Sequence, residues 1–180
     1  MIPSPDSAAR GSALVSLFST AETFGTMRPV VAEQVPHPHR ELLDHHSHMT
    51  VAMERFHGQQ VSLRVVATRP PTDTVYSREI LLLDSQGRPV QYGIVGIDLA
   101  LVATEVAARI RAADTPLGRV LIEAGALCDV QQVELLEIAP GPHLAGLIGP
   151  GLTFGRVATI AVAGRSAVQL LEVVAGIQAT

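Results

Sequence analysis

Lysine and tryptophan are missing from this 180-residue sequence, and each absence excludes something. All 13 basic residues are arginine. The chain therefore has no lysine to form a Schiff base, to anchor pyridoxal phosphate or to end a phosphate-binding loop. Aromatic residues make up only 3% of the chain, so a core has to be built from Val, Leu, Ile and Ala. Any fixed contact to an anion must come from Arg, His or backbone N–H groups.

Cysteine and positive charge are also scarce. The single cysteine, Cys128, excludes a disulfide within the chain and is interpreted as a buried thiol in a strand. A net charge of −4 argues against a nucleic-acid-binding surface, which needs a basic stripe. Neither a leader-like N-terminus nor an apolar run of the roughly 20 residues that span a bilayer is found. We therefore predict a cytoplasmic protein without nucleic-acid or membrane partners.

The pattern of apolar residues predicts an α+β fold. Apolar spacing near 3.6 residues, with Pro and Gly at the ends, predicts helices at 11–24, 40–58, 100–111 and 115–124. Val-rich and alternating segments predict strands at 60–68, 75–83, 89–99, 127–138, 153–162 and 166–174. Strands joined by hairpins, with helices clustered between them, indicate a single antiparallel sheet of about six strands with helices packed on one side.

The composition of the N-terminus and of one internal segment predicts where the chain lacks regular structure. We predict a single domain over residues 1–180, in which residues 1–10 form a loose arm because they are rich in Pro and Ser. Residues 139–151 are rich in Gly and Pro, so a flexible loop or lid is predicted there.

Two charged residues interrupt predicted apolar strands. Arg78 lies between Tyr76 and Ile80, on the same face as both. An Arg on a buried face needs a partner, and its planar fork suits a carboxylate; the alternative is an edge Arg with a structural partner. Glu172 lies among Leu and Val, where a carboxyl group can stay protonated near neutral pH. The alternative is a Glu on a solvated face of the sheet.

Four segments between about residue 41 and residue 175 resemble chorismate lyase, in the same order and at similar spacing. They are LLDHHSHMT at 42–50, SREILLLDSQGRPVQYG at 77–93, DTPLGRVL at 114–121 and GRSAVQLLEVV at 164–174. Chorismate lyase releases pyruvate from chorismate to give 4-hydroxybenzoate. The resemblance implies a chorismate lyase-like fold and a carbon–oxygen lyase that acts without a cofactor on chorismate or a related small carboxylic acid.

The resemblance also implies roles for individual residues. Arg78 would bind a substrate carboxylate, and Glu172 would be the catalytic acid that protonates the ether oxygen as the enolpyruvyl group leaves. Leu117 and Met49 match positions whose backbone groups hold the ligand, and Gly93 matches a glycine beside the site. Thr50 completes the Met-Thr pair at the helix end and is included in the predicted substrate-binding set.

Some residues depart from the family pattern. Ile94 stands where the family has an arginine, which weakens the case for a dianionic substrate. His45, His46 and His48 form a cluster that the pattern does not contain. Because no HExxH or Cys spacing accompanies the cluster, we predict no metal site. We instead predict that His45 and His48 contact the ligand or transfer a proton near the pocket mouth; the alternative is that they are exposed residues at a helix end.

Two other functions stay open at this point. One is a repurposed member of the family that catalyses a dehydration or cyclisation in specialised metabolism. The other is a non-catalytic small-molecule-binding domain, because the same fold also serves as the effector-binding domain of certain transcription regulators. The predicted partner is a small-molecule carboxylate that binds as the substrate. The chain is predicted to be a monomer or a homodimer.

Overall fold

A computed structural model describes residues 6–72 and 74–177. In this part of the chain, seven strands form a single antiparallel sheet in the order β1-β5-β6-β7-β4-β3-β2. The strands are β1 (Gly25–Val30), β2 (Ser62–Thr72), β3 (Val75–Leu83), β4 (Pro89–Asp98), β5 (Cys128–Pro140), β6 (Thr153–Val162) and β7 (Arg165–Val174). The predicted α+β class with one antiparallel sheet is confirmed, and β1 raises the strand number above the predicted six.

Helices lie between these strands. They are α1 (Asp6–Val15), α2 (Ala21–Phe24), α3 (His39–Leu43), α4 (Met49–His57), α5 (Thr104–Ala112), α6 (Leu117–Glu123) and α7 (Pro142–Ile148). Helices α3 to α6 pack together on one side of the sheet, and α1, α2 and α7 cover the opposite face. None of the described helices is both long and apolar enough to cross a membrane.

The alternation of side chains along β3 decides which residues reach the space beneath α3 to α6. Ile80 and Leu82 pack in the core below α3 and α4, whereas Leu81 packs with Tyr92 in the core below α1 and α7. Arg78 is two residues from Ile80, so its side chain points to the α3–α6 side. Glu79 points the other way. Arg78 and Glu79, which are neighbours in β3, therefore lie on opposite faces of the sheet.

Three local predictions are wrong. Residues 6–10 begin α1 instead of forming a loose arm, while residues 1–5 lie outside the described residues. The lid predicted at 139–151 is the end of β5 followed by α7, where Pro142 occupies the first helical turn and removes no helical hydrogen bond. Strand β2 continues past 70–71 because it is an edge strand, where the missing N–H of Pro can face away from the ladder.

Gly155 allows β6 to lie close to its neighbours, which gives a prediction about stability. A Cβ at this position would lie 2.6 Å from the carbonyl oxygen of Glu172 and 2.9 Å from Cδ1 of Ile138. Gly155→Ala must therefore shift a central strand, and we expect it to lower the free energy of unfolding by about 2–3 kcal/mol in urea denaturation. Gly146→Ala is the control, because a Cβ there meets nothing within 4 Å and Ala favours the helix. Equal effects of the two substitutions would contradict this account of the packing.

Candidate functional site

A cavity of about 60 Å³, here called the central pocket, lies between the sheet and the first turns of α4 and α6. One water molecule needs roughly 10–15 Å³ by the same measure, so the pocket has room for several waters or for one compact molecule. Its walls are mainly apolar. The lining residues are His48, Met49, Thr50, Leu63, Arg78, Ile80, Leu82, Gln91, Gly93, Ile94, Val95, Pro116, Leu117, Gly118, Val130, Arg156, Ile160, Leu170, Leu171 and Glu172.

The roof of the central pocket depends on the close approach of α6 to α4. A Cβ added at Gly118 would lie 3.0 Å from both Cβ of His48 and Oγ1 of Thr50. A larger residue at position 118 would thus push the two helices apart. No side chain caps the N-terminus of α4, and the first N–H groups of a helix have no partner within it. The backbone N–H groups at Met49 and Thr50 therefore add hydrogen-bond donors to the roof.

Arg78 is the main charged group of the pocket wall. Its side chain is 1% exposed, and Nη1 donates a hydrogen bond of 3.2 Å to the carbonyl oxygen of Ile110. Its Nε is buried without a hydrogen-bond partner, and among residues 6–72 and 74–177 no carboxylate forms an ion pair with it. Burial lowers the pKa of Arg78, with a partial offset from Tyr76, but a guanidinium stays charged near neutral pH. Arg78 is therefore a buried positive charge without a counter-charge.

Arg156, a second arginine on the pocket wall, is fully engaged by protein groups. It lies opposite Glu172 in the β6–β7 register, and its Nε donates to Oε2 of Glu172 at 2.8 Å. Its Nη1 donates to the carbonyl oxygens of Leu43, at 3.3 Å, and His45, at 2.8 Å, and its Nη2 donates to that of Ser47 at 3.1 Å. The Arg156 and Glu172 charges cancel, and the guanidinium holds the α3–α4 connection against the sheet.

Two histidines near Arg156 add no positive charge. Nδ1 of His45 accepts from the Ser47 N–H at 3.1 Å, so the Nε2 of His45 carries the proton that is donated to the Leu42 carbonyl oxygen at 2.8 Å. Burial and then the charge of Arg156 lower the pKa of His45. The same two causes, in the same order, lower the pKa of His48. Both imidazoles are thus neutral at pH 7, and the central pocket carries the single uncompensated charge of Arg78.

Most of the residues predicted for the site lie together. The central pocket is lined by Arg78, Glu172, His48, Met49, Thr50, Gly93 and Leu117. Their ligand-binding roles stay predictions. His45 is the exception, because its ring is bound within the 42–47 turn and does not line the pocket. The aromatic residues Tyr76, Tyr92 and Phe154 pack in the cores. In the described part of the chain, no group of three or more His, Cys, Asp and Glu side chains could hold a metal ion.

Arg156 is the site residue that the sequence analysis missed. It lies in β6, whose residues are all buried. The signal that pointed to Arg78, a lone Arg inside an apolar strand, is also present in the segment TFGRVATIAV at 153–162. The pairing of Arg156 with Glu172 requires the register of two neighbouring strands, which the sequence pattern does not supply.

Comparisons with known proteins find likeness at the level of structure. No protein-family model matches the sequence, and no curated protein matches it. The C-terminal domain of histidine utilization repressor from Pseudomonas syringae pv. tomato has a TM-score of 0.48 at 10% identity, with 67% of this chain and 95% of that chain covered. The ligand-binding domain of a protein from Bordetella bronchiseptica, described as a GntR-family transcriptional regulator, has a TM-score of 0.47 at 14% identity, with 66% and 87% covered. YydK from Bacillus subtilis, described as a transcriptional regulator, has a TM-score of 0.43 at 11% identity, with 67% and 62% covered. At such identities the likeness concerns the fold alone.

The predicted chorismate lyase activity is wrong. The solved structures that the chain resembles are described as parts of transcriptional regulators and not as lyases. The carboxyl oxygens of Glu172 accept hydrogen bonds from Arg156 and Gln91, whereas the predicted mechanism needs Glu172 to donate a proton to the substrate. The broader prediction of an enzyme stays a prediction, as do the single domain, the cytoplasmic location and the monomeric or homodimeric state.

The buried Arg156–Glu172 pair predicts a large loss of stability when one partner is removed. Arg156→Met leaves Glu172 with an unpaired charge, and we expect the free energy of unfolding to fall by about 3–5 kcal/mol in urea at pH 7. Adding Glu172→Leu to this variant removes the unpaired charge and should recover part of the loss. The surface pair of Arg28 and Glu137 is the control, and Arg28→Met should change stability by less than about 1 kcal/mol. Similar losses for Arg156→Met and Arg28→Met would show that the buried pair contributes no more to the free energy of unfolding than the surface pair does.

Proposed function

We propose that this chain is a non-catalytic binding domain for a small monocarboxylic acid, which sits in the central pocket with its carboxylate on Arg78. One observation carries the proposal: the guanidinium of Arg78 is 1% exposed, faces the pocket and has a free buried Nε. A buried charge is costly unless it is paired. A ligand carboxylate supplies the missing charge, and the guanidinium fork matches it with two hydrogen bonds.

The charge of the central pocket favours a ligand with one carboxylate and not two. Arg156 is neutralised by Glu172, and the burial and charge effects on His45 and His48 keep both imidazoles neutral. A monoanion on Arg78 therefore brings the pocket to zero net charge. A second carboxylate would be buried beside apolar walls without a cation, which costs several kcal/mol.

The rest of the ligand should be apolar and compact. Most of the side chains that line the pocket with Arg78 are aliphatic, and burial of apolar ligand surface contributes about 25 cal/mol per Å². These aliphatic lining residues are Leu63, Ile80, Leu82, Val95, Val130, Ile160 and Leu170. A branched-chain or aromatic acid has the size and polarity that such a lining selects.

Binding without catalysis is favoured by the hydrogen bonds that Glu172 accepts from the protein. Its two oxygens accept from Arg156 at 2.8 Å and from Nε2 of Gln91 at 3.4 Å, so the carboxylate is occupied by protein donors. Neither His45 nor His48 is placed as a charged proton donor. The pocket therefore offers a ligand one anchoring cation and apolar contacts.

Calorimetric titration with acids and their amides tests the proposal. The probes are acetate, isobutyrate and benzoate, each against its own amide, which has a similar shape without the charge. We expect at least one acid to bind about tenfold or more tightly than its amide, because a hydrogen-bonded charge pair contributes about 1.5–3 kcal/mol. Arg78→Met should remove this preference. Arg111→Met is the control, because Arg111 is exposed on α5 and lies outside the pocket lining.

Two further results bear on the same titration. Butyrate should bind more tightly than succinate, because the second carboxylate of succinate meets no free cation. If no acid binds better than its amide, or if Arg78→Met keeps the preference while circular dichroism shows an intact fold, the proposal is overturned.

A further inference from the structure

A second depression, here called the N-terminal cleft, lies on the opposite face of the sheet from the central pocket. It is open to solvent and has a volume of about 750 Å³. The cleft is formed by the end of α1, the start of α2, the edge strand β2 and the first turn of α7. Its lining residues are Ser16, Phe18, Ser19, Thr20, Thr23, Arg69, Pro142 and His143. Nothing in the proposed carboxylate-binding function uses these residues.

A chain of hydrogen bonds from the core fixes His143 at the cleft wall. Glu79 is 1% exposed, and its Oε1 accepts from the hydroxyl of Tyr92 at 2.6 Å and from Nε2 of His143 at 2.6 Å. Burial and the neighbouring Glu79 raise the pKa of Tyr92, so its hydroxyl stays a donor. Because a carboxylate only accepts, Nε2 of His143 carries a proton. The Nδ1 atom of this half-buried ring is not used in that hydrogen bond and can contact a ligand in the cleft.

Arg69 provides the permanent positive charge of the N-terminal cleft. Its Nε donates to the carbonyl oxygen of Leu17, which orients the guanidinium at the end of α1. In the described part of the chain, no carboxylate forms an ion pair with Arg69, and no acidic side chain lines the cleft. Arg69 therefore has no carboxylate partner among the described residues, whereas His143 is held by the carboxylate of Glu79 behind the cleft wall.

Hydroxyl groups lie close to Arg69 and His143 in the lining of the cleft. Oγ of Ser19 lies 2.7 Å from Oγ1 of Thr23, and Oγ1 of Thr20 lies 2.9 Å from the same atom. The Thr20 N–H also donates to Oγ1 of Thr23 at 3.1 Å. This network holds the hydroxyls of the α1–α2 connection in fixed positions. Guanidinium and hydroxyl donors, with an imidazole nitrogen beside them, suit an oxyanion with several oxygens better than they suit a planar carboxylate.

We propose that the N-terminal cleft binds the phosphate group of a small phosphorylated molecule. Arg69 makes the charged contact, and Nδ1 of His143 and the hydroxyls of Ser19 and Thr20 complete the polar lining. The cleft is larger than a single phosphate ion, so a phosphate monoester fills it better than inorganic phosphate does. The site is independent of the carboxylate-binding function proposed for the central pocket.

Titration of the full chain with phenyl phosphate and with inorganic phosphate, followed by amide shifts in ¹⁵N NMR spectra, tests this proposal. We expect phenyl phosphate to bind more tightly than inorganic phosphate and to shift the amides of Ser19, Thr20 and Thr23. Arg69→Gln should weaken binding about tenfold, since it removes a charged hydrogen bond. Arg111→Gln, an exposed charge change on the other side of the sheet, is the matched control and should leave the affinity unchanged.

His143→Gln provides a second variant. It should also weaken phenyl phosphate binding about tenfold, and its melting temperature is measured in parallel because it leaves Glu79 with one donor fewer. Equal affinity in Arg69→Gln and the original protein would overturn the proposal. Amide shifts that appear around the central pocket and not in the α1–α2 connection would overturn it as well.

Discussion

The buried guanidinium of Arg78 is the constraint on which the functional account depends. A charge that is removed from water is unfavourable unless an opposite charge lies beside it, and the described residues supply none. The protein contributes the carbonyl oxygen of Ile110 and the side chain of Tyr76, neither of which supplies a carboxylate charge. The other side opens into the central pocket. An anionic ligand is therefore the group that completes the electrostatic environment of Arg78.

Arg156 shows what a buried arginine with a structural role looks like in the same chain. Its guanidinium is paired with Glu172 and donates to three carbonyl oxygens of the α3–α4 connection. The contrast between these two equally buried arginines gives the pocket its single positive charge. The alternation of β3 has a second consequence, because Glu79, the residue after Arg78, supports His143 on the opposite face. One strand thus supplies a key charged group to each of two separate sites.

Much of the fold follows from local patterns in the sequence. The alternation of apolar residues predicted strands at 75–83 and 89–99, which form the β3–β4 hairpin, and the helix predicted at 115–124 is α6, with Pro116 as its N-cap. Helix α7 was missed because its Gly and Pro residues resemble those of a loop, although the position of Pro142 is compatible with a helix start. The extension of β2 through two prolines depends on its place at the sheet edge, and a single sequence does not reveal strand order.

The candidate site was predicted in part for the same reasons. A lone Arg in an apolar strand identified Arg78, and the family resemblance brought Met49, Gly93 and Leu117 to the same region. The catalytic role predicted for Glu172 did not anticipate its ion pair with the cross-strand neighbour Arg156. Such a contact is determined by register across the sheet and has no local signature. Long-range pairing of charges therefore limits what this sequence alone reveals about function.

The free energy of unfolding of Arg78→Met, measured in urea without any added organic acid, tests the central claim most directly. An arginine that is kept for a ligand should be unfavourable in the empty protein, so the account predicts that the variant is as stable as the original protein or more stable by about 1–3 kcal/mol. A loss of about 3–5 kcal/mol, as expected when a structurally paired buried charge is broken, would contradict the account.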